Sequence, residues 1–193
     1  MFEFNKSKRL IEGPVEFTAE VEIDRLASEV FPLVDIADPR FKHAQMGAKV
    51  SAANGSDTVY ELTLEEMDDV VFRFTVLERV AGERLKLEAV TDPQINALEK
   101  SIEIHAIEPI SDTACRVTLN TIATFDPELS DEEVTGEIAM MNEAVMGDLE
   151  KLKVLAEDGL EALQALEEAE MGFDIEFDLG ELDIDWDDIE PEQ

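Results

Sequence analysis

Apolar and polar positions alternate through most of the chain before residue 126, and this pattern predicts a series of β-strands. In the first of them, residues 15–23, the apolar positions are Phe17, Ala19, Val21 and Ile23, with polar residues between them. A period of two is typical of a strand that is buried on one face. The same pattern predicts further strands at residues 47–53, 57–65, 70–80, 84–91, 100–108 and 114–125.

Two stretches have the spacing of a one-sided helix instead. Residues 25–36 form a short one that contains Pro32, which breaks or restarts a helix. Residues 130–156 form a long one, in which Ser130 and Glu133 make a capping box at the start. Its apolar positions recur at steps of three and four residues: Val134, Ile138, Met141, Val145, Leu149, Leu152 and then Leu155 or Ala156.

This order of elements predicts an α+β fold, with an antiparallel sheet of about seven strands followed by one long helix. Asn54-Gly55 indicates a hairpin turn between two of the strands. A twisted sheet of this size curls, and a helix laid across its concave side packs best near the ends. We therefore expect a cavity between the middle of the helix and the sheet.

Two segments resemble the START/SRPBCC superfamily, which includes polyketide cyclase/dehydrase-like and birch-pollen-allergen-like proteins. They are VEIDRLASEVFPLVDIADPRF after the first strand and MNEAVMGDLEKLKVLAE at the end of the long helix. The resemblance covers residues 15–157 and implies a helix-grip fold with a deep apolar pocket. Relatives use that pocket for lipids, polyketides, quinones or other hydrophobic molecules. We accordingly divide the chain into a leader (1–14), a ligand-binding domain (15–157) and an acidic helical or extended tail (158–193).

The inward phase of the strands and of the long helix supplies candidate ligand-binding residues. An apolar pocket needs large, adaptable side chains with few polar groups among them. The candidates are Tyr60, Phe72, Phe74, Leu87, Ile104, Val117, Met141 and Val145. Spacing alone is more typical of residues that simply fill a core, and the family resemblance is what favours a pocket.

Few residues offer chemistry beyond packing. His43 follows the first helical region, where a pocket entrance would lie, and can exchange a proton near neutral pH. His105 shares the phase of Ser101 and Glu103, opposite Ile104, so we predict that it faces solvent. The single cysteine, Cys115, lies in a predicted strand and reads as a packed thiol. We predict no catalytic residue, no metal site and no cofactor.

The net charge of −33 limits the partners of the protein. It disfavours direct binding to nucleic acid or to anionic lipid. The carboxylates serve solubility, or they form a docking surface for a basic partner. No apolar run is long enough to span a bilayer, and the N-terminus lacks a hydrophobic signal core, so a cytoplasmic location is expected.

Acidic and apolar residues are interleaved at the C-terminus, after Gly172. This alternation is typical of a disordered interaction segment, or of a strand that forms on pairing. Phe173, Phe177 and Trp186 are the apolar positions on which a basic protein partner would dock.

Three functions are compatible with these observations. The first is non-catalytic binding or transport of a small hydrophobic ligand. The second is a cyclase- or aromatase-like enzyme, in which Tyr60 or His43 orients or protonates the substrate. The third is an interaction or chaperone-associated protein that acts through its tail. Convergent polar side chains in the cavity would favour the enzyme. A wholly apolar cavity would favour the carrier, and a collapsed cavity would favour the interaction protein.

Overall fold

This computed structural model describes residues 13–178, apart from residues 66, 95 and 96, and gives side-chain surroundings as far as residue 170. The strands are β1 Val15–Ile23, β2 Lys49–Ala52, β3 Val59–Leu64, β4 Met67–Val80, β5 Arg84–Asp92, β6 Leu98–Pro109 and β7 Cys115–Phe125. The helices are α1 Ala27–Val34, α2 Lys42–Gln45, α3 Asp131–Asp158 and α4 Leu160–Asp178. The predicted α+β class and the order of elements are confirmed, and only α2 falls where we expect a loop.

Within the described residues, the strands form one seven-stranded sheet in the order β1-β7-β6-β5-β4-β3-β2. Every pairing is antiparallel, because consecutive strands from β2 to β7 are joined as hairpins and β1 pairs with β7. The predicted turn at Asn54-Gly55 lies between β2 and β3. Both of its residues have positive φ angles, 51° and 74°, which asparagine and glycine tolerate better than other residues do.

The N-terminus of α3 is closed by the predicted capping box. The Ser130 hydroxyl accepts the backbone N–H of Glu133 at 3.3 Å, and the Glu133 carboxylate accepts the backbone N–H of Ser130 at 2.8 Å. Along the helix, Val134 is fully buried near the start, and burial becomes complete again only at Val145. Between them Ile138 is partly buried, so the middle of α3 stands over the sheet without closing down on it.

The C-terminal half of α3 is held more firmly than the middle. Its apolar residues Leu149 and Leu152 belong to the core. The Arg25 guanidinium donates to the carbonyl of Glu157 at 2.7 Å, and the Lys153 ammonium donates to the carbonyl of Glu22 at 2.7 Å. These contacts fix this half of the helix to the end of β1 and to the residues that follow it.

The first part of the predicted tail packs against α3. Gly159 ends α3 with a φ of +90°, which glycine adopts without strain, and α4 begins at Leu160. Leu163 of α4 is fully buried, and the Lys151 ammonium of α3 lies 2.9 Å from the Glu170 carboxylate. The domain boundary at residue 157 stays a prediction, although α4 covers part of the same helix.

The acidic segment after Gly172 is partly helical. We predict a disordered segment or a strand there, whereas α4 continues to Asp178. Phe173 and Phe177 are four residues apart, a spacing that fits one face of a helix as well as an extended segment. Trp186 lies outside the described residues, so the docking of a basic partner on the tail stays a prediction.

Among the described residues, no helix combines the length and apolar character that crossing a membrane requires.

Candidate functional site

A cavity of about 210 Å³ lies between the sheet and α3. Nine of its lining residues are apolar and six are polar. Most of the apolar wall comes from α1, three strands and α3, through Leu33, Phe74, Leu87, Leu119, Met141 and Val145. The polar side chains are Lys42, His43, Glu103, His105, Thr121 and Asp148. The expected space is therefore present, but its lining is not wholly apolar.

Four of the eight predicted ligand-binding residues lie in the cavity wall: Phe74, Leu87, Met141 and Val145. They come from β4, β5 and α3. Their role in binding a ligand stays a prediction, but the structure brings them together around one space.

The other four lie elsewhere. Val117 is fully buried in the core, and Phe72 packs against that core. Tyr60 lines a separate pocket at the β2–β3 end, where its hydroxyl donates to the carbonyl of Asp57 at 3.1 Å. Ile104 is not part of the cavity lining, and its neighbours in sequence, Glu103 and His105, are.

The phase that we predict for β6 is therefore wrong. His105, expected to face solvent, is only 5% exposed, and Ser101 on the same face is buried as well. Because side chains alternate along a strand, Ile104 points to the face opposite His105. The pattern misleads here because β6 places Glu103 and His105 inside, where they line a cavity. Ile102 and Ile104 lie on the half-covered outer face, and only from Ile107 onwards does an isoleucine face the core.

An ion pair between α2 and α3 forms one side of the cavity. The Lys42 ammonium contacts the Asp148 carboxylate and also donates to the Asp148 carbonyl at 3.1 Å. The Lys42 side chain is only 6% exposed. His43 Nε2 lies 3.9 Å from the same carboxylate. One carboxylate on α3 thus gathers two cationic or protonatable groups from the short helix α2.

Burial and neighbouring charge shift the protonation of this cluster. Burial would raise the pKa of Asp148, but the charge of Lys42, and that of His43 when it is protonated, hold it below its ordinary value. Burial, and then the positive charge of Lys42, lowers the pKa of His43. Since 48% of the His43 side chain is exposed, its desolvation is less complete than that of a fully enclosed histidine. At neutral pH, Asp148 is ionised and His43 is neutral.

Glu103 and His105 form the deeper part of the cluster, on the inner face of β6. Burial, and then the charge of Asp148, raises the pKa of Glu103 to about 7. Its carboxylate accepts a hydrogen bond from the Ser101 hydroxyl at 3.3 Å. Burial lowers the pKa of His105 to about 4. Its Nδ1 atom is buried and has no hydrogen-bond partner within the described part of the chain.

The cavity opens towards a groove of about 510 Å³ between α2, α3 and α4. The two spaces share four residues, Lys42, His43, Ala144 and Asp148. The groove adds Glu143 and Lys151 from α3 and two glutamates, Glu167 and Glu170, from α4. A molecule that reaches the cavity through the groove therefore passes carboxylates from both helices.

The residues of this cluster are adapted to polar recognition and to proton transfer. A carboxyl group with a pKa near 7 is close to half ionised at neutral pH, which is what general acid–base chemistry needs. Among the described residues, no group of three His, Cys, Asp or Glu side chains is placed to hold a metal ion. Cys115 is fully buried in β7, and burial raises the pKa of its thiol.

Sequence reasoning did not identify Lys42, Glu103, Thr121 or Asp148. A lysine in a predicted loop and an aspartate on the polar side of a helix read as solvated residues. Glu103 stands between two isoleucines, so alternation places it outside. Glu103 and Thr121 form a polar pair on the inner face of the sheet. The pair can be recognised only when the register of β6 and β7 is known, because that register places the two residues opposite each other.

No protein-family model matches the sequence, and no curated protein matches it. Solved structures of similar shape include Ara h 8.0201, with a TM-score of 0.54 and 13% identity over 69% of this chain and 93% of the other. The di-domain ARO/CYC BexL from the BE-7585A biosynthetic pathway gives a TM-score of 0.56 and 14% identity, over 76% of this chain and 46% of BexL. The Aha1 dimer from Colwellia psychrerythraea gives a TM-score of 0.52 and 13% identity, over 75% of this chain and 98% of the other. At these identities the similarity shows the fold alone, and it confirms the helix-grip fold.

The raised pKa of Glu103 predicts how its substitution changes stability with pH. The native state holds this proton up to about pH 7, whereas an unperturbed glutamate releases it near 4.5. This group therefore lowers the free energy of unfolding as pH rises through that window. Glu103→Gln removes the effect, so the variant should gain on the order of 2 kcal/mol over the wild type between about pH 5 and about pH 8.

Urea unfolding at both pH values measures this difference. Glu108→Gln, at an exposed position of the same strand, controls for the loss of one negative charge. Parallel pH profiles for the wild type and Glu103→Gln would show that the Glu103 carboxyl is not held neutral by its surroundings.

Proposed function

We propose that the protein binds a small, mostly apolar molecule in the cavity between the sheet and α3. The observation that carries this proposal is the partly open space of about 210 Å³, walled by Phe74, Leu87 and Val145 and continuous with the outer groove. A cavity of roughly 150 Å³ lined by apolar side chains is large enough for benzene. The inner space thus fits a single ring with a short substituent, and a longer ligand extends into the groove.

The ligand needs a polar group as well as an apolar body. Buried polar side chains are normally hydrogen-bonded, because an unsatisfied one loses its interaction with water without a replacement. His105 is such a residue in the cavity wall. A purely hydrocarbon ligand would leave its Nδ1 unsatisfied, whereas a ligand with one polar end would satisfy it. This refines the hydrophobic ligand expected from the sequence.

The binding proposal predicts that filling the cavity removes affinity. We use 2-phenylethanol as the probe, since it has one ring and one hydroxyl. It should give saturable chemical-shift changes around Leu87, Thr121 and Val145 in two-dimensional NMR spectra. Val145→Phe places a ring in the cavity and should weaken binding by roughly tenfold or more, which corresponds to about 1.4 kcal/mol.

Met146→Phe is the matched control, because Met146 is the next residue of α3 and is exposed. It should leave the affinity within about twofold of the wild type. Leu87→Phe fills the cavity from the sheet side and replaces Val145→Phe if that variant does not fold. No saturable shift in the wild type, or equal affinity in the filled variants, would contradict the proposal.

Acid–base catalysis in the same cavity is the second candidate. Its supporting observation is that a carboxyl with a pKa of about 7 and a neutral histidine share one face of β6. Of the two residues that the sequence suggests for this role, Tyr60 lies outside the cavity, and His43 lines it together with Glu103 and His105. These three are the groups that would exchange protons. The polar lining favours this candidate over a carrier with a wholly apolar pocket.

The catalytic candidate predicts proton exchange on a bound carbonyl compound. Phenylacetone in D₂O should exchange the hydrogens next to its carbonyl faster with the protein than with buffer alone, as followed by NMR. The rate should rise as pH passes through about 7, since the ionised Glu103 carboxylate is the base. Glu103→Gln should abolish the acceleration, and Glu108→Gln should keep it. Saturable binding of phenylacetone without acceleration would leave the protein a carrier.

A further inference from the structure

We propose that the polar end of the ligand is a protonated amine, so that the cavity selects a small apolar amine over an alcohol or a carboxylic acid. This rests on the proposed ligand-binding function and names its ligand class. The inference comes from which polar groups in the lining already have partners and which do not.

The cations of the site are already paired. Lys42 contacts the Asp148 carboxylate. Lys151, in the groove, lies 2.9 Å from the Glu170 carboxylate and 3.6 Å from that of Glu167. An anionic ligand would have to displace one of these carboxylates to obtain a counter-ion. It would also bring its charge close to Glu103, which opposes binding.

The unpaired groups are acceptors. No Lys or Arg of the described chain lies within ion-pair distance of Glu103, whose carboxylate receives one hydrogen bond, from Ser101. A carboxylate has about four acceptor sites, so most of its capacity is unused. Two residues along the same strand face, the buried Nδ1 of His105 has no partner, and it is an acceptor in the tautomer that carries the proton on Nε2. Thr121 lies directly opposite Glu103 and adds a hydroxyl oxygen.

The donor count of the ligand group decides between the classes. An ammonium has three N–H donors, a hydroxyl has one, and a carboxylate has none. Glu103, His105 and Thr121 offer three acceptors at neighbouring positions of two paired strands. An ammonium can satisfy all of them and also supply the positive charge that Glu103 lacks. An alcohol satisfies one of them and supplies no charge.

The charges that line the entrance to the cavity also favour a cationic ligand. The groove is lined by four carboxylates, Glu143, Asp148, Glu167 and Glu170, against two lysines. The whole chain carries a net charge of −33. A cleft with an excess of one charge concentrates ligands of the opposite charge and raises their rate of entry. The surface charge, which the sequence alone leaves as a solubility feature or a docking surface, thus also favours cationic ligands.

Three probes of nearly equal size test the inference: 2-phenylethylamine, 2-phenylethanol and phenylacetate. Affinities are measured by isothermal titration calorimetry at about pH 8, where an alkylamine keeps its proton and Glu103 is largely ionised. Salt at about 0.15 M screens non-specific attraction to the acidic surface. The amine should bind roughly tenfold or more tightly than the alcohol, and phenylacetate should bind most weakly.

Variants separate the specific contact with Glu103 from the general attraction of a cation to the negatively charged protein. Glu103→Gln should reduce the affinity for the amine by roughly tenfold or more and leave that for the alcohol within about twofold. Glu108→Gln removes the same charge from an exposed site of β6 and should change neither affinity. Thr121→Val, which keeps the shape of the side chain, should weaken the amine by roughly threefold or more and serves if Glu103→Gln misfolds.

The outcomes are distinguishable from those of the proposed function. If the alcohol or phenylacetate binds as tightly as the amine, the amine inference is overturned and ligand binding stands. The same holds if the amine is unaffected by both Glu103→Gln and Thr121→Val. If none of the three probes binds, the proposed function fails together with the inference.

Discussion

The ion pair of Lys42 and Asp148 is the contact on which the cavity and its chemistry depend. It joins residues 106 positions apart in sequence, one on the short helix α2 and one in the C-terminal half of α3. Buried ion pairs often contribute little net stability, because both charges lose their hydration. What this one supplies is position, since it keeps a single carboxylate at the junction of cavity and groove. The lysine keeps Asp148 ionised, and burial together with the charge of Asp148 raises the pKa of Glu103.

The helix that covers the cavity is anchored unevenly. Its start is capped by Ser130, and its C-terminal half is bonded to the segment around Arg25. Between these ends, Ile138 and Met141 are only partly buried. They pack against the core with only part of their surface, and full burial resumes at Val145. A helix that is fixed at both ends and only partly buried between them leaves room for a ligand underneath it.

The architecture could be predicted from the sequence because it follows from periodicity. The strand pattern of β1 and β7 and the capped helix α3 each repeat one signal over many residues, so local irregularities do not change the result. The polar half of the site could not be predicted in this way. On β6, alternation predicts that Ile102 and Ile104 face the interior. In the structure Glu103 and His105, on the opposite face of the strand, point inwards instead. Alternation assumes that apolar side chains face inwards, and a binding site with a polar cluster breaks that assumption.

A double-mutant cycle on Lys42 and Asp148 tests the central claim most directly. Lys42→Met and Asp148→Asn each leave one member of the pair without its partner, and each should lower the free energy of unfolding by roughly 2–4 kcal/mol. The double variant leaves neither charge behind, so it should lose less than the sum of the two, with a coupling free energy of at least about 1 kcal/mol. Urea unfolding measures all four proteins. Additive losses, with no coupling, would mean that the two residues do not support each other and that something else holds α3 over the cavity.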